Sequence, residues 1–245
     1  MKKLTIITLL IILFFDTSLL AQDTTKAKWH YLAEIYLMFP NMKGEIGIAG
    51  LPPASVDADQ SSIFGHLKFG AMLYFEASND DWSISSDFLY MDLEQDLEDT
   101  NFITNGKVSA KQLAWEIAGL KRVISWFDVG IGARLIGLDS GIEFTGTQGI
   151  DRSGSESIYW VDPIIVMRFN DLLESKWILN FRGDIGGFGI GSKFAWQMQA
   201  NAGYRFSKLF QATIGYRYIS VDYDKDNFLY DIDTYGAVVR LGFNF

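Results

Sequence analysis

Cysteine is absent from all 245 residues, so no disulfide holds this fold together. The same absence excludes a lipoprotein anchor behind the N-terminal apolar run. Histidine is nearly absent too: His30 and His66 are the whole supply of imidazole bases or ligands. No Pro- or Ser-rich linker divides the chain, and no long segment carries sustained apolar spacing at i, i+3, i+4 and i+7. A helical bundle is thereby excluded, and one domain is expected. Basic side chains are in deficit, 21 against 30 acidic. Such a balance argues against a nucleic-acid partner, whose phosphates need Lys and Arg.

Lys2 and Lys3 precede an apolar run from Leu4 to Phe15, and a short polar stretch leads to Ala21-Gln22. This reads as a secretory signal peptide, residues 1–21, since a membrane-crossing helix needs roughly 20 apolar residues. Its removal takes away two lysines and Asp16, leaving 19 basic and 29 acidic side chains, a net charge of −10 for residues 22–245.

What the chain has in abundance is alternation. Tyr235, Ala237, Val239, Leu241, Phe243 and Phe245 alternate with Gly236, Val238, Arg240, Gly242 and Asn244, and only Val238 breaks the pattern. Phe210, Ala212, Ile214, Tyr216 and Tyr218 face away from Gln211, Thr213, Gly215 and Arg217 in the same way. Reading at period 2 gives ten strands: 30–39, 67–77, 82–93, 109–120, 126–138, 157–169, 176–186, 193–205, 209–221 and 232–244. Each is near the roughly 9 to 11 residues that a tilted strand needs to cross a bilayer. Short connections (78–81, 121–125, 170–175, 206–208) alternate with longer ones (40–66, 94–108, 139–156, 222–231), the Gly-rich 187–192 excepted. An even strand number with this alternation predicts a closed antiparallel transmembrane β-barrel of ten strands, with eight as the alternative. Closure is required because backbone in hydrocarbon must be fully paired. Both termini are then expected on the periplasmic side of a bacterial outer membrane, with membrane lipid as the partner.

Aromatics gather at the expected strand ends. Trp82, Trp126, Phe169, Trp177, Tyr204 and Phe206 lie on the short-turn side; Tyr90, Tyr159, Trp196, Tyr218 and Tyr223 lie on the loop side. They are expected to form two interfacial girdles. Pro163 falls inside the sixth strand and calls for a bulge or an irregular end.

The run Gly183-Asp184-Ile185-Gly186-Gly187-Phe188-Gly189, with Trp196-Gln197, Gly215-Tyr216-Arg217-Tyr218 and Asp222-Tyr223 behind it, resembles a family of small bacterial outer-membrane β-barrel proteins of mostly unassigned role. Trp160-Val161-Asp162-Pro163, the stretch from Leu51-Pro52 to Phe64, and Phe69-Gly70-Ala71-Met72 look similar to further parts of that pattern. The resemblance implies an outer-membrane barrel and brings no catalytic motif with it.

Charges on inward positions form the most suggestive constellation. Glu34, Glu76, Asp87, Glu116, Asp128, Asp162 and Asp184 stand against Arg134, Arg168, Arg182, Arg205, Arg217 and Arg240. Buried charges persist when paired, so near balance of sign predicts a lumen plugged by ion pairs, whereas unpaired rings of charge would make a selective pore. Asp222, Asp224, Asp226, Asn227 and Asp233 loosely follow a calcium-loop spacing, but Asn227 replaces the glycine and Asp233 the glutamate, so no metal site is expected there. The cluster Asp92, Glu94, Asp96, Glu98 and Asp99 reads the same way, as a solvated acidic loop. The glycines from Gly186 to Gly191 read as a hairpin rather than a phosphate loop. Residues Asp59 to Leu67 suggest a short helical turn capped by Ser61 or Ser62. The expected function is therefore a non-enzymatic outer-membrane protein, structural or surface-interacting, without a cofactor. Two alternatives are a narrow pore for ions or small solutes, and a hydrolase using His66.

Overall fold

The structure is a computed structural model that describes residues 28–48, 52–96, 103–146, 151–170 and 176–245; the expected signal peptide, Glu98 and Asp99 lie outside them. Eleven strands run in chain order: β1 (His30–Ile48), β2 (Ala54–Ala58), β3 (Leu67–Ser78), β4 (Trp82–Asp96), β5 (Ile103–Ile124), β6 (Phe127–Gly146), β7 (Asp151–Phe169), β8 (Trp177–Gly186), β9 (Phe194–Arg205), β10 (Phe210–Lys225) and β11 (Phe228–Asn244). Among the described residues one short helix, α1 (Gln60–Gly65), lies between β2 and β3. Ten of the strands close into an antiparallel barrel in the order β1, β3, β4 and onward to β11, which pairs back to β1 from Leu32↔Asn244 to Ile48↔Phe228. Tyr31 and Phe245 finish the seam with two backbone bonds of 2.9 Å.

All ten predicted strands are present, and most reach beyond their predicted ends. The loop-side extensions of β5, β6 and β7 pair Lys107 with Glu143 and Glu143 with Ser153. With polar residues there, a paired ribbon loses its hydropathy signal while keeping its backbone ladder. The segment 222–231, expected as a longer loop, is a two-residue hairpin turn. Asp226 and Asn227 both take positive φ, 53° and 65°, the backbone that matches strand twist in a type I′ turn.

Pro163 sits without a bulge, opposite Ala133 in an unbroken β6–β7 register, contrary to the expected irregularity. Its carbonyl accepts from Gly187 N at 3.1 Å, so its imide nitrogen lies on the same strand edge, where β8 has just ended at Gly186. No ladder donor is lost there. β8 and β9 turn back early through Gly187 (φ 82°) and Gly189 (φ 74°), leaving β7 from Asp151 to Asp162 without a neighbouring strand on that side.

The outer face carries the hydrophobic residues, exposed: Ile214 is 63%, Ile131 62% and Tyr216 52% accessible. A contiguous exposed apolar band on a closed sheet is a surface for hydrocarbon, and a water-soluble barrel would have turned these side chains inward. Aromatic contacts follow one another near the short-turn end: Trp177–Tyr204, Tyr204–Phe206, Phe206–Phe210 and Phe210–Phe243 at 5.2–5.7 Å, then Phe245–Tyr31 at 5.8 Å and Tyr31–Phe75 at 6.3 Å. On the loop side Trp196, Tyr218 and Tyr235 stack in succession. Tyr223, expected in that girdle, instead points inward and stacks on Trp160 at 4.1 Å.

Candidate functional site: the sealed lumen

Inward positions divide the lumen in two. Toward the loop side it is apolar: Trp160, Tyr223, Tyr230, Ile136, Val221 and Ile232 form one cluster, and Tyr36, Met38, Met72, Leu89, Met91 and Val238 form another. Val238, the one break in the alternation of the last strand, fills this second cluster with no exposed surface. The middle and the short-turn side hold the charges, together with a smaller apolar cluster of Ala118, Leu120, Ile164 and Val166 on the β5 and β7 wall.

The ion pairs run across the barrel as well as along its wall. Arg217 on β10 reaches Asp87 on β4 at 3.2 Å, and Arg168 on β7 reaches Glu76 on β3. Arg182 on β8 bonds Glu116 on β5, while Arg134 on β6 joins Glu116 at 2.7 Å and Asp184 at 2.6 Å. Arg240 also crosses to Asp87 (3.7 Å), while links between neighbouring strands are made by Arg240 to Glu34 (2.8 Å) and by Asp128 to Arg168 (2.7 Å) and Arg122 (3.3 Å). Charge-assisted bonds of this kind are the strong ones, and burial makes each partner dependent on the other.

Several residues essential to the network were not singled out by sequence. Tyr36 donates to Asp87 at 2.5 Å, and the guanidinium of Arg240 lies over its ring, 4.4 Å from the centroid. Gln197 accepts from Arg217 at 2.8 Å and donates to Glu116 at 3.4 Å, which joins the Asp87 and Glu116 groups into one web. Tyr74 donates to Glu76, and Ser83 accepts from Arg168 at 2.8 Å. The available signal was the strand parity they share with the charged positions.

Two of the candidate charges stand apart from the web. Asp162 is fully buried but meets no arginine; it accepts from Ser192 N (2.6 Å), Ser192 Oγ (2.7 Å) and Trp160 Nε1 (3.3 Å), and so pins the β8–β9 turn against β7. Arg205 is exposed at the short-turn mouth and makes no ion pair among the described residues. It lines a polar cavity of about 210 Å³ that opens at that end, together with Arg182, Arg240, Thr213, Asn180 and Asn201. A second cavity, about 30 Å³, lies among Met91, Ile136, Tyr230 and Ile232 on the other side of the web.

The remaining candidates resolve into local structure. Asp224 and Asp222 share Lys193, at 2.7 and 3.9 Å, while Asp233 accepts from Tyr218, so the acids with calcium-loop spacing are engaged with protein side chains. The α1 helix is capped by Asp59, which accepts from Ser62 N, rather than by Ser61 or Ser62. His66 follows that helix with Nδ1 2.8 Å from the Ser62 carbonyl, and His30 begins β1 at the opposite end of the barrel.

Beyond the loop-side girdle, Glu94 takes hydrogen bonds from Lys68 and Lys107, which hold its carboxyl down to about 2. An acid depressed this way contributes stability above its unfolded value, near 4.3, and loses it as pH falls through the folded one. Digestion of this rim by an acid-stable protease should therefore accelerate between about pH 4 and pH 2, and Glu94→Gln should remove that step. A rim whose digestion ignores pH over this range would contradict the assignment.

No protein-family model matches the sequence, and no curated protein matches it. Solved structures similar to it include the outer membrane protease OmpT of Escherichia coli (12% identity, TM-score 0.44, covering 88% of this chain and 96% of that one). The translocator domain of the autotransporter NalP from Neisseria meningitidis gives 11% identity and a TM-score of 0.42, covering 88% of each chain. Ail, the attachment invasion locus protein of Yersinia pestis, gives 11% and 0.37, covering 89% of this chain and 99% of that one. What this barrel does must be read from its own side chains.

Proposed function

We propose that the chain is an outer-membrane barrel that does not conduct, with its termini on the periplasmic side and its activity, structural or adhesive, carried by its outer surfaces. The observation that carries this is the set of ion pairs between non-adjacent strands, which places arginine and carboxylate side chains in the middle of the lumen. At ten strands the barrel is not far above the eight or so whose interior side chains just fill, so these pairs occupy much of its width. The apolar clusters toward the loop side form a second barrier, since ions would have to shed water to pass them.

The polar cavity at the short-turn mouth favours one other reading, a gated pore whose inner vestibule is already open. A hydrolytic role has less support: His66 is engaged with the backbone carbonyl of Ser62, 2.8 Å from its Nδ1.

Planar-bilayer recording separates the first two. The folded protein is expected to give a flat trace under applied voltage, while replacing both Glu116 and Arg134 with serine should produce stepwise currents. Steps from the unaltered protein would defeat the sealed reading.

A further inference from the structure

The wall of the barrel has a slot in it. β1 is paired with β11 along its whole length, but on its other side it meets β3 only from His30↔Ser78 to Ile35↔Leu73. Higher up, β2 takes over that edge, from Met42↔Ala58 to Ile46↔Ala54. Between these two pairings, from Tyr36 to Asn41, the edge of β1 has no strand beside it among the described residues.

The chemistry of that interval suits an unpaired edge. Met38 N donates to the sulfur of Met72 at 3.2 Å where a ladder carbonyl would otherwise stand. Pro40, two residues on and therefore facing the same side, has no N–H to satisfy. Helix α1 covers part of the opening with Ile63, buried, and Phe64, whose ring meets Phe39 at 5.5 Å. What remains is a cavity of about 80 Å³ lined by Met38, Met72, Met91, Ile63, Leu67 and Tyr36. Gly70, on the inward-facing side of β3, is exposed there, because its pairing with β4 leaves its other side toward the slot.

We propose that an acyl chain of the surrounding lipid inserts into this slot. The opening lies just below the loop-side aromatics, since Asn41 is opposite Tyr235 and Ala71 opposite Tyr90. Its outer lips, Leu37 and Leu73, are part of the exposed apolar band, so the slot is continuous with the lipid-facing surface. The one polar side chain in the lining, Tyr36, has its hydroxyl already committed to Asp87 and Arg217, so no side-chain donor is left for a headgroup or sugar. Three thioethers make a lining that adapts to a flexible chain. Met38, Pro40 and Met91 also border the small apolar cavity of the upper lumen, so they alone separate the inserted chain from the interior.

The test uses the full chain folded into phosphatidylcholine vesicles that contain a trace of phosphatidylcholine with a diazirine on its acyl chain. Photolysis should attach lipid to Met72 and to α1 as well as to outer positions such as Ile214. Gly70→Leu should reduce the slot adducts at least about fivefold and leave those at Ile214 unchanged; its Cβ would sit 3.7 Å from Leu67, an ordinary contact, with the rest of the side chain in the slot. Because the chain contains no cysteine, single-cysteine variants give a second readout that does not depend on the Gly70 variant folding. Met72→Cys should react with a bilayer-dissolved alkyl maleimide within about tenfold of Ile214→Cys and about a hundredfold faster than Val166→Cys, which is buried in the lower wall. Adducts confined to outer positions, or a Met72→Cys as slow as Val166→Cys, would overturn the proposal. So would labelling by a small free alkyl diazirine but not by the lipid-borne one, which would assign the slot to small apolar solutes.

Discussion

Asp87→Ala should cost about 3–5 kcal/mol of folding stability, read as a lowered denaturant midpoint for the barrel in micelles. Asp87 holds three groups at once: the Tyr36 hydroxyl at 2.5 Å, Arg217 at 3.2 Å and Arg240 at 3.7 Å. Arg240 keeps Glu34 when Asp87 is gone, but Arg217 is left with only the neutral Gln197 and Tyr36. The loss therefore comes mainly from a guanidinium stranded out of water, and the doubly altered Asp87→Leu, Arg217→Met barrel should recover most of it. A single-site cost below about 1 kcal/mol would mean that water reaches the pair and the lumen is not sealed.

The second large effect is expected far from the web, at the early turn between β8 and β9. Asp162→Ala removes the acceptor for a buried backbone N–H and a buried hydroxyl of Ser192, at a cost of about 2–3 kcal/mol. Gly191→Ala should do comparable damage by another route, because its Cβ would lie 2.3 Å from Asp162 Oδ1 and 2.5 Å from the Val161 carbonyl. In both variants the turn should lift from β7, and trypsin should cut after the exposed Lys193 faster than in the parent. Equal cleavage rates in parent and variants would show that Asp162 is not what holds the turn down. Asp162→Asn, which keeps one acceptor oxygen, should sit between the two extremes.

The wall of this barrel was legible in the sequence because a lipid-facing strand must alternate, and period 2 survives in every crossing segment. The interior was less so. Charged inward positions such as Arg134 and Asp184 announce themselves, but Trp160 and Tyr223 look by hydropathy like lipid-facing aromatics, and only the parity they share with Asp162 and Arg217 marks them as inward. Tyr36 and Gln197 are ordinary strand residues until the register puts Asp87, Arg217 and Glu116 beside them. The first external segment was harder still. Its helical turn was expected between Asp59 and Leu67, whereas β2 pairs with the part of β1 that overshoots β3, a fact of relative strand length that no local pattern records. Pro163 was visible as an exception and marks a strand edge where a neighbour is missing; Pro40, just beyond the predicted end of the first strand, marks another.

The seam has a consequence for how the cylinder assembles. β1 shares 17 matched positions with β11, nearly two hundred residues away in sequence, and six with β3, its nearest partner in the ring along the chain. The earliest strand to be made is thus anchored chiefly by the latest, and until β11 arrives it has only a short grip on the growing sheet. Such distant pairing is slow to form. The last hairpin therefore acts as the latch of the whole structure, and a cell that makes this protein must keep the unlatched sheet from aggregating until it closes.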